Sequence, residues 1–306
     1  MITVLEAGQF TTIQDQGRFG YQAWGMPVSG AMDTYASAMA NALAGNEKSK
    51  AVIEMTGRGG AFKFDQKTRV AVCGADMEGL AGSQKIKGWC SFFVQAGEVL
   101  RFFEAREGYR TYLAVQGGID VPLVMGSRST YTRAQLGGFE GRCLLPGDVL
   151  YIGKAVPGKE ALAAEKSAIP RYEETLSLRV LGAAGVSALG AVADGFFAAT
   201  YALGQDSDRV NYSLTGPLLP LTGRTDIIST AVGQGAIQIT SAGLPYIVAS
   251  DHGTIRGFSR IGYVIQADLP KLAQAKPGAE LSFQKICEEE AVAIWRAERN
   301  KLDALK

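Results

Sequence analysis

A single histidine, His252, stands in the 306 residues of the chain. That scarcity excludes zinc sites of histidine type, two-metal histidine clusters and any relay that needs a spare imidazole. Cysteine is sparse too: Cys73, Cys90, Cys143 and Cys287 lie far apart, with no CxxC pair. Such usage points to reduced thiols and a cytoplasmic chain. No GxxxxGK followed by Ser or Thr occurs, and no GxGxxG follows a strand pattern. Neither a P-loop nor a dinucleotide fold is therefore supported, and any ATP used would sit on a partner protein. No apolar run approaches the roughly 18 residues that a membrane span needs. The N-terminus lacks the basic and apolar regions of a signal peptide. A net charge of +1 with no basic block makes nucleic acid a poor partner. What remains is an ordinary globular composition, 47% hydrophobic and 20% charged, long enough for about two domains.

The most informative stretch is residues 117–148, GGIDVPLVMGSRSTYTRAQLGGFEGRCLLPGD. It neither alternates like a strand nor repeats like a helix. Glycines permit positive φ and close backbone approach, so it reads as a shaped loop. It carries guanidinium groups (Arg128, Arg133, Arg142) and hydroxyls (Ser127, Ser129, Thr130, Tyr131, Thr132). Such donors suit a carboxylate, a carboxyphosphate-like anion or a ureido carbonyl. The competing reading is a long glycine-rich connection with solvated arginines.

Around that loop the pattern is strand-rich. Residues 2–5 read as a strand, and 14–33 as one long turn-dense loop. Asp33 reads as the N-cap of a helix over 34–44, stopped by Gly45-Asn46. Asn41 inside it is either a buried anchor or a site residue, the anchor being preferred. Residues 52–55, 69–73, 91–94, 99–102 and 111–115 are short β-type runs separated by turns, which argues for a barrel or sandwich. Glu54 interrupts an apolar strand and needs a partner, either a structural ion pair with a loop arginine or a role as site base.

Residues 154–171 are charged, alanine-rich and bracketed by prolines, a linker pattern. The expected layout is a first subdomain over 1–153, a linker over 154–172, a second subdomain over 173–287 and a terminal helix over 288–306. In the second half, strands are expected at 176–181, 227–229, 236–240, 246–249 and 280–286, with short helices near 196–203 and 269–275. Residues 251–262 read as a second polar loop. There His252, beside Asp251, is either an acid–base group or a loop histidine with no catalytic role. A faint repeat links the halves: Gly126 to Pro146 and Gly257 to Pro277 are equal steps, each preceded by a strand. Duplication predicts two similar β-rich halves, each with an equivalent loop, and a cleft between them.

Three runs carry a family resemblance: QDQGRFGYQAWGMPVSGAMD at 14–33, ANALAGN at 40–46, and YLAVQGGIDVPLVMGSRSTYTRAQLGGFEGRCLLPGD at 112–148. In them the chain resembles the biotin-dependent carboxyltransferase family. That group includes the C component of 5-oxoprolinase, allophanate hydrolase subunit 2 and the carboxyltransferase region of urea carboxylase (urea amidolyase). The resemblance implies a mainly β fold with a few helices, built as two cyclophilin-like β-barrel subdomains related by internal duplication. It implies a heteromer with two further components. One, the B component, is a kinase-inhibitor-like protein similar to allophanate hydrolase subunit 1; the other, the A component, is lactam-utilisation-like. The implied reaction is ATP-dependent opening of 5-oxoproline to glutamate, or transfer of a carboxyl group from carboxybiotin to an amide or urea nitrogen. No lysine has a Met-Lys-Met context, so no biotin is bound covalently and any carboxybiotin comes on a partner protein.

Carried onto matching positions, the resemblance implies a polar cleft of Arg18, Tyr21, Ser29, Asp33, Arg128, Ser129, Thr130, Tyr131, Arg133 and Arg142. Arg128, Ser129, Thr130 and Arg133, with Glu54, are the catalytic candidates. Arg18, Tyr21, Ser29, Asp33, Tyr131, Arg142, Asp251 and His252 are the substrate-binding candidates. The second half departs from the family pattern, with TIRGFS at 254–259 where relatives carry a TTGGYP-like run. The alternative from another class is a non-catalytic regulator that binds a kinase-inhibitor-like partner of B type.

Overall fold

A computed structural model of the chain describes residues 1–155, 162–183, 189–220 and 226–304. Residues 156–161 of the expected linker lie outside the described residues. The fold is mainly β and forms two compact units. Met1–Phe19 and Ser29–Tyr172 belong to the first; Gly20–Val28 and Glu173–Asp303 belong to the second. The excursion 20–28 departs from the continuous first subdomain that the sequence suggests. It is a turn-rich segment with only one short 3-10 turn, Gln22–Trp24, and no strand to hold it in a sheet.

Among the described residues the first unit has twelve strands: β1 (Ile2–Glu6), β2 (Phe10–Gln14), β3 (Val52–Thr56), β4 (Ala61–Phe64), β5 (Thr68–Asp76), β6 (Leu80–Ala81), β7 (Gln84–Lys85), β8 (Cys90–Val94), β9 (Val99–Arg101), β10 (Glu107–Val115), β11 (Ile119–Asp120) and β12 (Val149–Ile152). One sheet runs β11-β12-β1-β4-β9-β6-β7, the other β2-β3-β10-β5-β8. Ile2, Val4, Phe62, Phe64 and Leu100 from the first meet Ile53, Val70, Leu113 and Val115 from the second in one core. The opposite face of β10 is also covered. Tyr112 and Ala114 pack beneath α1 (Thr34–Ala44), against Met39, Ala40 and Leu43. A strand buried on both faces reads as a continuous apolar run, which is why Tyr112-Leu113-Ala114-Val115 does not alternate.

The predicted caps of α1 are present. Asp33 Oδ1 accepts from Ala36 N at 2.8 Å, and Gly45 closes the helix at φ +80. Asn41 is an anchor: its Nδ2 donates to Lys50 O at 2.8 Å and its Oδ1 accepts from Asn46 Nδ2 at 2.9 Å. The described part of the expected linker lies on the first unit, where Leu162, Ala168 and Tyr172 pack beside α1 and Tyr35 Oη donates to Ala168 O at 2.7 Å.

The second unit holds β13 (Thr175–Gly182), β14 (Tyr201–Leu203), β15 (Asn211–Thr215), β16 (Asp226–Ala231), β17 (Ala236–Ile239), β18 (Pro245–Val248), β19 (Ile255–Val264) and β20 (Glu280–Ile286). Their order is β13-β20-β14-β15-β18-β17-β19-β16, and β19 also pairs with β13. Seven strands thus close on themselves, leaving β16 alone outside the ring, and closure removes the exposed sheet edge. Phe196 of α2 (Ala191–Ala198) enters this core, 4.4 Å from the Phe283 ring and 5.5 Å from Tyr201. After α3 (Leu269–Ala273) comes α4 (Glu288–Ala304), which docks by Trp295 Nε1 donating to Gln266 Oε1 at 2.8 Å. Among the described residues no helix is long and apolar enough to cross a membrane.

Three expectations are corrected here. Residues 251–262 are not a loop: from Ile255 onward they form β19, whose glycines and arginines hide the strand alternation. For the same reason the equal glycine–proline steps do not mark equivalent loops. Gly126 lies in a turn at φ +75, whereas Gly257 lies within β19. The helix expected near 196–203 ends at Ala198, and Tyr201–Leu203 is β14.

Candidate functional site

The loop of residues 117–148 is organised by a residue outside it, Asp15, which stands one position after β2. Asp15 Oδ1 accepts from Gly17 N at 2.8 Å, a local Asx turn, and from the hydroxyls of Ser127 at 2.7 Å and Ser129 at 2.5 Å. Asp15 Oδ2 accepts from Arg128 N at 2.6 Å. Arg18, fully buried, adds a second clamp: its Nε donates to Val124 O at 3.0 Å and its Nη2 to Ser129 O at 2.9 Å. Thr130 Oγ1 donates to Ile13 O at 2.9 Å.

This network changes several assigned roles. Ser129 and Thr130, expected to face substrate, are both fully buried and spend their hydroxyls on Asp15 and on the β2 backbone. Arg18 holds the loop from beneath. Glu54 is 1% exposed and accepts from Met32 N at 2.8 Å, fixing the chain entering α1, while Arg128 and Arg142 bond elsewhere. Asp33 serves as the helix cap, with its own N–H donating to Tyr112 Oη at 2.7 Å. Ser29 is buried at φ +57, a left-handed conformation that costs a non-glycine residue about 1–2 kcal/mol. Tyr21 belongs to the second unit, its ring 5.9 Å from that of Trp24, which is 77% exposed.

Arg142 is an internal clasp. Its Nη1 and Nη2 fork onto Asp148 at 2.7 and 2.9 Å, Nη2 also reaches Glu140 at 2.7 Å, and Asp148 Oδ2 accepts from Leu145 N at 2.7 Å. The hydrogen bonds from Arg142 hold the Asp148 carboxyl below its ordinary value. Because the folded value is the lower one, the clasp contributes fully at neutral pH and is lost as pH falls through that lowered value. Asp148→Asn is expected to cost about 1–2 kcal/mol at pH 7 and to flatten the acid limb of the urea midpoint plotted against pH. An unchanged midpoint and acid limb would show the clasp to be energetically idle.

Arg128, half-buried, donates from Nε to Val121 O at 2.8 Å, and its Nη2 lies 3.7 Å from Asp120. Val121 and Asp120 border an open depression of about 490 Å³ whose walls include Gly138, Phe139, Val149 and Tyr151. Gly138 is required there: at φ +56, an added Cβ would sit 1.8 Å from Thr130 Oγ1. Tyr131 is half-buried, exchanging backbone hydrogen bonds with Leu136, and Arg133 is exposed in the 3-10 turn Thr132–Ala134. Of the expected cluster, the structure therefore leaves Arg128, Tyr131, Arg133, Tyr21 and Arg142 exposed or half-buried and turns Arg18, Ser29, Asp33, Ser129 and Thr130 inward. The arrangement can meet a small anion with guanidinium groups held on a backbone frame.

In the second unit, Asp251 is engaged by Arg209: Nε to Oδ2 is 2.9 Å and Nη2 to Oδ1 is 3.2 Å, with both side chains buried. His252 is 4% exposed, and its Nδ1 lies 2.8 Å from Gly253 O. A carbonyl only accepts, so Nδ1 carries the proton. Burial lowers its pKa, with Arg256 adding to the effect, and the ring is neutral at pH 7. Both residues are buried, where open substrate contacts are expected. Among the described residues no cluster of metal-ligating side chains occurs.

Sequence reasoning missed Asp15. Its signal was present as an Asp-x-Gly turn within the dense run at 14–33, but its partners lie 112 and 114 residues away.

The chain resembles known proteins along its length. Residues 24–285 match the family described as carboxyltransferase domain, subdomain A and B. All of the chain aligns with 98% of the 5-oxoprolinase C component of Haemophilus influenzae at 32% identity. It aligns likewise with 97% of the Escherichia coli (strain K12) 5-oxoprolinase C component at 33% identity. Among solved structures, the K. lactis urea amidolyase superposes over the whole chain with a TM-score of 0.94 at 28% identity, the match spanning 20% of that longer protein.

Proposed function

Because the chain belongs to the carboxyltransferase subdomain A and B family, we propose that it is the C component of an ATP-dependent 5-oxoprolinase, opening 5-oxoproline to glutamate. The observation that carries this reading is the end-to-end correspondence, 97–98%, with two relatives bearing that name. The urea amidolyase of Saccharomyces cerevisiae also matches, but over only 18% of its length. A carboxyltransferase acting on another amide or urea nitrogen is thus the second form of the same reading.

In either form Arg128 and the exposed Arg133 meet the negative charge that develops at the reacting carbonyl, not the substrate's own acid, and the Asp15 network holds their loop rigid. ATP belongs to a partner, since no nucleotide motif occurs here. The partners proposed are a B component of kinase-inhibitor-like type and an A component of lactam-utilisation type. Where carboxyl transfer is used, carboxybiotin arrives on another protein as a substrate. Four free cysteines fit a reducing, cytoplasmic setting.

The test is reconstitution with the A and B components, following 5-oxoproline-dependent ATP hydrolysis and glutamate release. Turnover that disappears when this chain is omitted is the expected result. Assembly without turnover of 5-oxoproline would overturn the assignment and favour the non-catalytic binder.

A further inference from the structure

One face of the second unit gathers two arginines that close on no carboxylate among the side chains described. Gln238 on β17 is in register with Tyr246 on β18 and with Arg260 on β19. Directly opposed residues share a face, so these three side chains form a row. Tyr246 Oη donates to Gln238 Oε1 at 2.8 Å. Two and four positions before Arg260, Phe258 and Arg256 point to the same side of β19. The Arg256 guanidinium carbon lies 5.5 Å from the Tyr246 ring centroid, and Phe258 meets that ring edge-on at 5.9 Å.

Arg260 is pinned by neutral acceptors. Its Nη2 donates to Ala231 O at 2.9 Å and Thr230 Oγ1 at 3.3 Å, and its Nη1 to Tyr263 Oη. Its Nε is buried without a hydrogen-bond partner. Arg142, Arg179 and Arg209 each close on a carboxylate. Among the side chains described, which do not include that of Asp226 opposite Phe258, neither Arg256 nor Arg260 does. Burial raises the Tyr246 hydroxyl's pKa while both guanidiniums oppose the rise, so both act on one hydroxyl. Both side chains are half-buried, Arg260 held by neutral acceptors, and a ligand acid would supply the counter-charge those acceptors do not.

We infer that this face is a carboxylate-binding site, where Arg256 and Arg260 hold the acid group of a small organic acid and Tyr246 and Phe258 line its apolar body. The inference rests on the function proposed above and sharpens it: 5-oxoproline carries a carboxylate, and urea does not. Arg256 and Phe258 lie in the run where the sequence departs from its family's pattern, which makes them specificity-determining positions.

Calorimetric titration of the full chain with 5-oxoproline, with 2-pyrrolidinone (the same lactam without the acid) and with acetate tests the site. 5-Oxoproline is expected to bind wild type, and Arg256→Gln or Arg260→Gln to weaken it about tenfold or more. 2-Pyrrolidinone is expected to bind about tenfold more weakly than 5-oxoproline and to ignore both substitutions. Thermal unfolding of each variant establishes that it is folded, and Arg256→Lys should recover part of the affinity. Equal 5-oxoproline affinity in wild type and variants, or no binding of any carboxylate, would overturn the site. Turnover by the assembled complex with unchanged KM in both variants would overturn it while leaving the proposed function standing. Arginine-dependent acetate binding without 5-oxoproline binding would support the carboxylate site and count against the 5-oxoproline reading.

Discussion

Asp15→Ala is expected to cost about 3–5 kcal/mol of folding stability and to release the loop of residues 117–148 from its frame. Asp15 is 7% exposed, and four donors converge on its carboxylate: two serine hydroxyls, Gly17 N and Arg128 N. Alanine leaves those donors without their acceptor, at about 1–3 kcal/mol for each buried group that finds no water. The sum is sub-additive because the loop relaxes. Asp15→Asn keeps the shape but turns one acceptor into a donor facing donors, so an intermediate loss is expected. Urea unfolding measures both, and a loss below about 1 kcal/mol for alanine would mean that the loop is held by the Arg18 and Thr130 contacts instead.

Arg209→Met is expected to destabilise the second unit by about 3–5 kcal/mol, because it strands Asp251 as an unpaired buried charge. The paired replacement of Arg209 by Met and Asp251 by Leu should recover most of that loss, since it removes the desolvation cost together with the attraction. The pair also separates a structural Asp251 from a substrate-binding one. If Asp251 only closes on Arg209, the double variant keeps its turnover in the assembled complex. If Asp251 meets substrate, the double variant is stable and inactive. The geometry, a two-point clasp with both side chains buried, predicts the first outcome.

What could be read in the sequence was local. The cap pair around α1, the β10 run and most strands of the second unit announce themselves within about ten residues, through turn chemistry and hydrophobic pattern. β2 and β4 escaped because each is short and lies beside glycine-rich turns. β19 escaped because glycines and arginines replace the apolar half of its alternation. The site was legible as a composition, glycines with arginines and hydroxyls, but not as an arrangement. Which way Ser129 and Thr130 face depends on Asp15 and Ile13, 114 and 117 residues earlier. Likewise, nothing local to Asp251 reveals that Arg209, 42 residues before it, has already taken its carboxylate.

The most direct test of the account is turnover of 5-oxoproline by the reconstituted three-component assembly carrying Arg128→Ala in this chain. Arg128 is the loop cation whose backbone is fixed by Asp15 and whose side chain reaches residues at the rim of the depression. The complex is expected still to assemble and kcat/KM to fall by about 100-fold or more, the loss typical of removing one positioned donor. Turnover at the wild-type rate would contradict it and move the chemistry away from this loop.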